Sequence, residues 1–166
     1  MAQDSAYTST RQIPSAFKAF ELGPVNLDVG GGRFEDGTQF LSEHGVTNLV
    51  WDRFNRSERH NKMVMNRIQY KGCDTITVLN VLNVIDADER KTLYNEVLFL
   101  SLDNNHAPII FQVYEGNRTG IRDTGKTVQN NMKTSAYESE VNDWFKHTHT
   151  ITRWKNFIIV EPKEGI

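Results

Sequence analysis

The chain has 166 residues, of which 38% are hydrophobic and 24% are charged, and its formal net charge at pH 7 is −2. This composition is typical of one globular domain with a sizeable core. We expect a single domain over residues 1–166, with 1–24 as an N-terminal extension and 25–166 as the core. The net charge gives no sign of a broad basic surface for nucleic acid, although a local basic patch can occur on a protein of this charge. The single cysteine, Cys73, excludes an internal disulfide.

The sequence predicts neither a membrane-spanning segment nor a metal site. No apolar run reaches the roughly 18 residues that a spanning helix needs, and the opening MAQDSAYTSTRQIPSAF lacks the apolar stretch of a signal peptide. The histidines show no H-x-x-x-H spacing. We therefore expect a cytoplasmic protein with no membrane partner and no metal site.

Apolar runs alternate with segments of helical period along the chain, which is typical of βαβ units. The predicted strands are VNLDV (25–29), TNLVWD (47–52), DTITVLNVLNVI (74–85), PIIFQVYEG (108–116), HTITRWK (149–155) and NFIIVEP (156–162). The predicted helices are EDGTQFLSEHG (35–45), SERHNKMVMNRIQ (57–69, with Ser57 as N-cap), DADERKTLYNEVLFLSL (86–102) and SAYESEVNDWF (135–145). Residues 117–134 are predicted to be a polar loop, and a loop of that length in a compact domain often serves as a lid.

This order of elements predicts an α/β fold. We expect a Rossmann-like, doubly wound, mostly parallel sheet of about six to seven strands with a C-terminal antiparallel hairpin. In such sheets ligands bind beyond the carboxyl ends of the strands, near the point where the strand order reverses.

Three consecutive glycines, 30–32, follow the first predicted strand, which carries one acid, Asp28. Glycines at a strand end let a ligand approach the main chain closely. The dinucleotide fingerprint G-x-G-x-x-G would need glycine at position 35, where this chain has Glu35. An acid beside the helix start competes with a pyrophosphate for the same amides, which disfavours NAD and FAD.

An acid followed by x-Gly-x-Gly after a strand is the first motif of class I S-adenosylmethionine-dependent methyltransferases, and Asp28, Gly30 and Gly32 resemble it. The ligand carries an ammonium and a sulfonium and no phosphate, so an acidic strand end favours it. The second predicted strand ends in Asp52, where the family has the acid that grips the ribose hydroxyls. DTITVLN ends in Asn80, where the family has a polar residue beside the transferable methyl group.

The chain from about residue 12 to 162 resembles a minimal member of this family, including its closing hairpin. More narrowly, it is similar to a group of small phage and bacterial proteins, in the segments IPSAFK (13–18), NLDVGGG (26–32), WDRFNRSERHN (51–61), DTITVLNVLNVI (74–85) and QVYEG (112–116).

The resemblance implies S-adenosylmethionine as cofactor and methyl transfer to an unidentified acceptor, with a nucleic acid among the open acceptors. The same resemblance assigns cofactor binding to six residues: Asp28, Gly30, Gly31, Gly32, Asp52 and Asn80. It assigns catalysis to Asn80, Tyr114 and Glu115.

Some features depart from the family. Arg53 replaces the proline expected after the acid, and the 22 residues from Asp52 to Asp74 predict that the third strand is very short or absent. No Asn-Pro-Pro-Tyr or Pro-Cys motif is present, so the signatures of DNA-base methylation are missing.

Two alternative functions remain open at this stage. The protein could bind S-adenosylmethionine without methyl transfer, as a sensor or as a lyase that cleaves it. Separately, GIRDTGKT (120–127) satisfies the P-loop pattern, in which Lys126 would reach the phosphates of ATP and Thr127 would hold magnesium.

Overall fold

The computed structural model describes residues 9–116, 118, 120–123 and 128–164, which form an α/β fold. The strands are β1 (Val25–Val29), β2 (Thr47–Trp51), β3 (Thr75–Leu79), β4 (Ile109–Gln112), β5 (Gly120–Asp123), β6 (Val128–Asn131), β7 (His149–Trp154) and β8 (Phe157–Pro162). The helices are α1 (Ala16–Ala19), α2 (Asp36–Glu43), α3 (Glu58–Lys71), α4 (Ala87–Asp103) and α5 (Thr134–Phe145), with a 3-10 turn at Leu82–Val84. Among these described residues, no helix is both long enough and apolar enough to cross a membrane.

Six strands form one mixed sheet in the order β2-β1-β3-β4-β8-β7. The first four are parallel to one another, and β8 runs antiparallel between β4 and β7. The expected α/β sheet with an antiparallel C-terminal hairpin is confirmed. β5 and β6 form a separate antiparallel pair.

Three of the predicted elements were wrong in extent. The strand predicted over 108–116 is β4 and ends at Gln112. The strand predicted over 74–85 ends at Leu79, because Asn80 adopts the left-handed conformation with φ of 59° and a 3-10 turn follows. The loop predicted over 117–134 contains the β5–β6 pair and the first residue of α5. The spacing argument on the third strand is confirmed, because residues 52–74 hold only α3.

The two faces of the sheet differ in chemistry. On one face, alternate strand residues such as Leu27, Ile76 and Phe111 pack against α3, α4 and α5 in the main core. On the other face, a smaller apolar cluster includes Phe17 and Leu22 from the segment before β1. The described part of the predicted N-terminal extension therefore packs on the sheet.

A buried arginine ties the helices of the main core to the turn after β3. Arg90 on α4 is 5% exposed and binds both carboxylate oxygens of Glu140 on α5, at 2.9 and 3.0 Å. Its Nη1 donates to the Ile85 carbonyl at 3.2 Å, and Asn130 on β6 donates to the same carbonyl at 2.7 Å. Helices α4 and α5 and strand β6 thus converge on the turn that begins at Asn80.

His149, at the start of β7, is fully enclosed and hydrogen-bonded on both ring nitrogens. The Ser101 hydroxyl donates to the Ala107 carbonyl at 2.7 Å, so it accepts from Nε2–H of His149 at 2.8 Å. The Thr148 hydroxyl lies 2.7 Å from Nδ1 and donates to it. Burial, and secondarily the neighbouring His106, lower the pKa of His149 from 6.5 to about 4. The folded protein therefore holds this imidazole neutral.

We predict that His149 makes folding stability depend on pH between about 6.5 and about 4. The folded pKa is below the unfolded one, so the unfolded chain binds the proton first, and the contribution of His149 to stability falls as pH drops through this window, by up to roughly 1.4 kcal/mol per pH unit. Urea unfolding of His149→Gln should lack this part of the wild-type slope. The exposed neighbour His147 supplies the matched control, His147→Gln, which should keep the slope; equal slopes in all three proteins would contradict the assignment.

Candidate functional site

The glycine turn lies at the carboxyl edge of the sheet, where the strand order reverses. The chain leaves β1 toward β2 on one side, and β3 lies on the other side of β1. Gly30 has φ of +78°, and a Cβ there would lie 2.6 Å from a Val81 methyl group. Glycine at this position is therefore required both by the backbone conformation and by the approach of the turn after β3.

A cavity of about 510 Å³ opens beside this turn. Its walls come from the glycine turn, the N-terminal segment (residues 9–18), the start of α2 and the ends of β3 and β4. The structure brings Asp28, the three glycines, Asn80 and Tyr114 together at this cavity, and leaves Asp52 and Glu115 outside its lining.

The floor of the cavity, formed by Asp28 and Asn48, belongs to a buried polar network on the sheet face opposite the main core. Asn26 donates to the Asn48 side-chain oxygen and to the Thr77 hydroxyl, both at 2.9 Å. The Thr77 hydroxyl donates to Asp28 at 2.8 Å, and the Thr75 hydroxyl donates to Asn26 at 2.7 Å. The five side chains, drawn from three parallel strands, satisfy one another.

Asp28 is the one carboxyl group in this network, and it is 4% exposed. Burial raises its pKa from 3.8 to about 6, against the lowering effect of hydrogen bonds from Thr77 and Asn48. A carboxylate held in such surroundings gains most from a cationic partner, because little water is present to stabilise its charge.

Asp52 is buried, and both of its carboxylate oxygens accept hydrogen bonds from its own loop and from the glycine turn. Its Oδ2 accepts from the Gly32 amide at 2.9 Å and from the Asn55 side chain at 3.1 Å. Its Oδ1 accepts from the backbone amides of Phe54 and Asn55, at 2.9 and 3.0 Å. The carboxylate therefore fixes the glycine turn against the turn after β2, and a ribose hydroxyl would bind it only by replacing one of these donors.

Asn80 stands at the end of β3 with an exposed side chain on the cavity. Its backbone N–H donates to the backbone carbonyl of Gln112 at 2.8 Å, and its side-chain Oδ1 accepts from Nε2 of Gln112 at 3.3 Å. A left-handed backbone at a non-glycine residue is a strained conformation that concentrates at functional sites. In this conformation the Asn80 side chain lines the cavity.

Tyr114 and Glu115, predicted together, have different surroundings. Tyr114 lines the cavity and is 53% exposed. Glu115 accepts from the Thr134 amide at the start of α5 at 2.7 Å and from Arg118 at 3.1 Å. The hydrogen bond from Thr134 lowers the pKa of Glu115, which therefore stays ionised and anchors the helix.

The N-terminal segment is the main contribution that sequence reasoning missed. The Ala16 amide donates to the Gln112 side chain at 3.0 Å, and the Ser9 hydroxyl accepts from the Arg33 amide at 3.1 Å. The segment IPSAFK (13–18) stood out only by resemblance, and no chemistry in it indicated a cavity wall.

A second cavity of about 280 Å³ shares Gly30 with the first. Trp51, Phe54, Val81 and Ile85 give it largely apolar walls, and the predicted cofactor residue Asp52 also lines it. The glycine turn thus separates a polar cavity from an apolar one along the same edge of the sheet.

The P-loop pattern lies in a different context from the one it requires. Gly120–Asp123 is a strand, and another strand, β6, follows directly at Val128. A P-loop leads from a strand into a helix, and here a strand stands where that helix should begin. Lys126 and Thr127 themselves lie outside the described residues.

Within the described ranges, no three potential metal-binding side chains cluster together. No protein-family model matches the chain, and no curated protein matches it significantly.

Proposed function

We propose that this protein is a Rossmann-like methyltransferase that uses S-adenosylmethionine. One observation carries the proposal: a polar cavity with a buried carboxyl group and an apolar cavity meet at Gly30, at the edge of the sheet where α/β folds bind ligands. S-adenosylmethionine has the same two halves, a cationic amino-acid part and a flat adenine, and the sheet order β2-β1-β3-β4 matches four strands of the doubly wound order.

Each half of the cofactor has residues that suit it. Asp28 would face the ammonium and sulfonium, which supply the cation that its enclosed carboxylate lacks. Trp51, Phe54 and Val81 would pack on the adenine, and the glycine turn would let the ligand pass between the cavities. We assign Asp52 the role of holding that turn, since its carboxylate accepts from the Gly32 amide as well as from Phe54 and Asn55 in its own loop.

Methyl transfer requires that an acceptor atom attack the methyl carbon while the carbon–sulfur bond breaks and sulfur keeps the electron pair. The chain contributes mainly by positioning the two partners. The Asn80 side-chain oxygen would accept a hydrogen bond from an N–H or O–H of the acceptor, which directs the lone pair of that atom inward, and this proton would pass to water once the atom carries the methyl group. Tyr114 would cover the acceptor from the side of β4.

We predict that Asp28→Asn weakens binding of S-adenosylmethionine roughly tenfold or more in calorimetric titration, because a charge-assisted contact is lost. The substitution keeps the oxygen that accepts from Thr77, so the fold should persist. Asp103→Asn, on exposed α4 surface, is the matched control and should leave affinity unchanged. Equal affinity of Asp28→Asn and wild type would remove the carboxylate from the site.

The affinity for S-adenosylmethionine should also depend on pH. The carboxylate form of Asp28 binds the cation, and its pKa is about 6, so affinity should fall as pH drops through 6, by up to about tenfold per pH unit. Above about pH 7 the affinity should be constant. Titrations of Asp28→Asn over the same range should be flat; a parallel pH dependence in the variant would assign the effect to another group.

Product analysis separates methyl transfer from the alternative of binding or cleavage. Release of S-adenosylhomocysteine with a methylated acceptor supports the transferase, methylthioadenosine with homoserine lactone supports a lyase, and an unchanged ligand supports a binding protein. We predict that Asn80→Gly, which removes the side chain and relieves the left-handed backbone, binds the cofactor and loses at least tenfold in turnover. Normal turnover by this variant would exclude Asn80 from catalysis.

A further inference from the structure

Aromatic side chains lie at and beside the mouth of the cavity that opens at the glycine turn. Tyr114 lines it and is 53% exposed, and Phe34, which is half-buried, lines it beside the glycine turn. Trp154, 47% exposed, lies outside the lining and precedes the two-residue turn between β7 and β8, whose second residue, Asn156, lines the cavity. Two exposed rings and one half-buried ring thus lie at or beside one opening.

Packing holds the tryptophan in place. Its ring stacks on Phe157 with centroids 5.7 Å apart and meets the edge of Phe20 at 6.0 Å. The Asn156 carbonyl accepts from the Val113 amide at 2.8 Å, which joins the turn to the end of β4. An exposed aromatic ring that is already ordered binds a planar ligand with little further loss of entropy.

Cations lie among these rings. The guanidinium groups of Arg11 and Arg33 lie 4.3 and 5.1 Å from the centroid of Phe34, and the Lys155 ammonium lies 4.6 Å from that of Trp154. Lys18 lines the cavity itself. We call Phe34, Tyr114 and Trp154, with these four cations, the aromatic–basic rim.

Among the described residues, the nearby acids pair with only one of the four rim cations, Arg11. Asp36 pairs with Arg11 at 3.3 Å, and Glu35 pairs with Arg56 at 2.6 Å. Within the part of the chain that the structure describes, Lys18, Arg33 and Lys155 have no ion pair. A protein of net charge −2 therefore carries a local concentration of positive charge at its cavity mouth.

We propose that the aromatic–basic rim binds a single-stranded nucleic acid and that the methyl acceptor is one of its unpaired bases, an inference that rests on the proposed methyl transfer. Aromatic rings that stack bases, next to cations that contact the phosphates, are the combination by which proteins hold single strands. A base inserted from the rim meets the side-chain amides of Asn80 and Asn156, which match the hydrogen-bonding edge of a base. A paired base would first have to leave its duplex.

Fluorescence anisotropy with labelled oligonucleotides of about 12 units tests the surface. Oligo(U) and oligo(dT) distinguish RNA from DNA as the source, and a duplex of the same length tests the requirement for a single strand. With three unpaired cations, log affinity should fall against log salt with a slope of roughly −2, which is about 20-fold between about 50 and about 200 mM salt. Duplex binding as tight as the better single strand would overturn the proposal.

Variants identify the surface that binds. The triple variant Lys18→Ala, Arg33→Ala, Lys155→Ala should lose most of the salt dependence, and Trp154→Ala should weaken binding by roughly 5- to 150-fold. The matched controls use exposed residues on the helices of the opposite sheet face: Lys62→Ala, Lys71→Ala, Lys91→Ala for the cations and Tyr70→Ala for the ring. Controls that weaken binding as much as the rim variants would place the contact elsewhere and overturn the proposal.

Failure of this inference is distinguishable from failure of the proposed function. Calorimetric binding of S-adenosylmethionine without any oligonucleotide binding would overturn the inference and leave the methyltransferase intact. Oligonucleotide binding at the rim without cofactor binding would overturn the methyltransferase and the acceptor assignment together. Methylated nucleosides in the bound oligonucleotide after incubation with the cofactor are the expected positive result.

Discussion

The site depends on a set of buried hydrogen bonds between side chains at the centre of the sheet. Asn26 faces Asn48 on one neighbouring strand and Thr75 on the other, while Asp28 faces Thr77. A shift of one residue in any of the three strands would move these groups into the apolar core without partners, at about 1–3 kcal/mol for each. The polar floor of the cavity therefore also fixes the register of the strands that build it.

The glycine turn, the polar floor and the strained asparagine act on one another through short contacts. Position 30 has no room for a side chain, because a Cβ there would lie 2.6 Å from a methyl group of Val81, the residue after Asn80. Arg90 stabilises the turn after β3 from the side of the main core, by donating a hydrogen bond to the Ile85 carbonyl. The cofactor contacts and acceptor contacts proposed above would thus be supported by the same core, which suits a reaction whose catalysis is mainly positioning.

Apolar periodicity and helix caps were sufficient to predict the mostly parallel sheet, and the Ser57 cap is confirmed by its bond from the His60 amide at 3.1 Å. Asn80 was placed inside a strand because β-branched residues continue beyond it, and a left-handed conformation leaves no mark in propensity. Asp52 was predicted as a ribose ligand from the resemblance, and its hydrogen bonds from the Gly32, Phe54 and Asn55 amides could not be predicted because they depend on loop geometry. The cavity wall at Ala16 comes from a contact with Gln112, across a sequence separation that no local pattern encodes.

The position of β8 has a consequence for the order in which the protein can assemble. This strand is the last described one in the chain, yet it lies inside the sheet, between β4 and β7. During synthesis on the ribosome, β7 emerges first and has no neighbour to pair with until β8 follows. The turn between β7 and β8, which carries Trp154 and places Asn156 at the cavity, therefore forms late. In a nascent chain the residues of the glycine turn would be available for folding well before this part of the cavity mouth is complete.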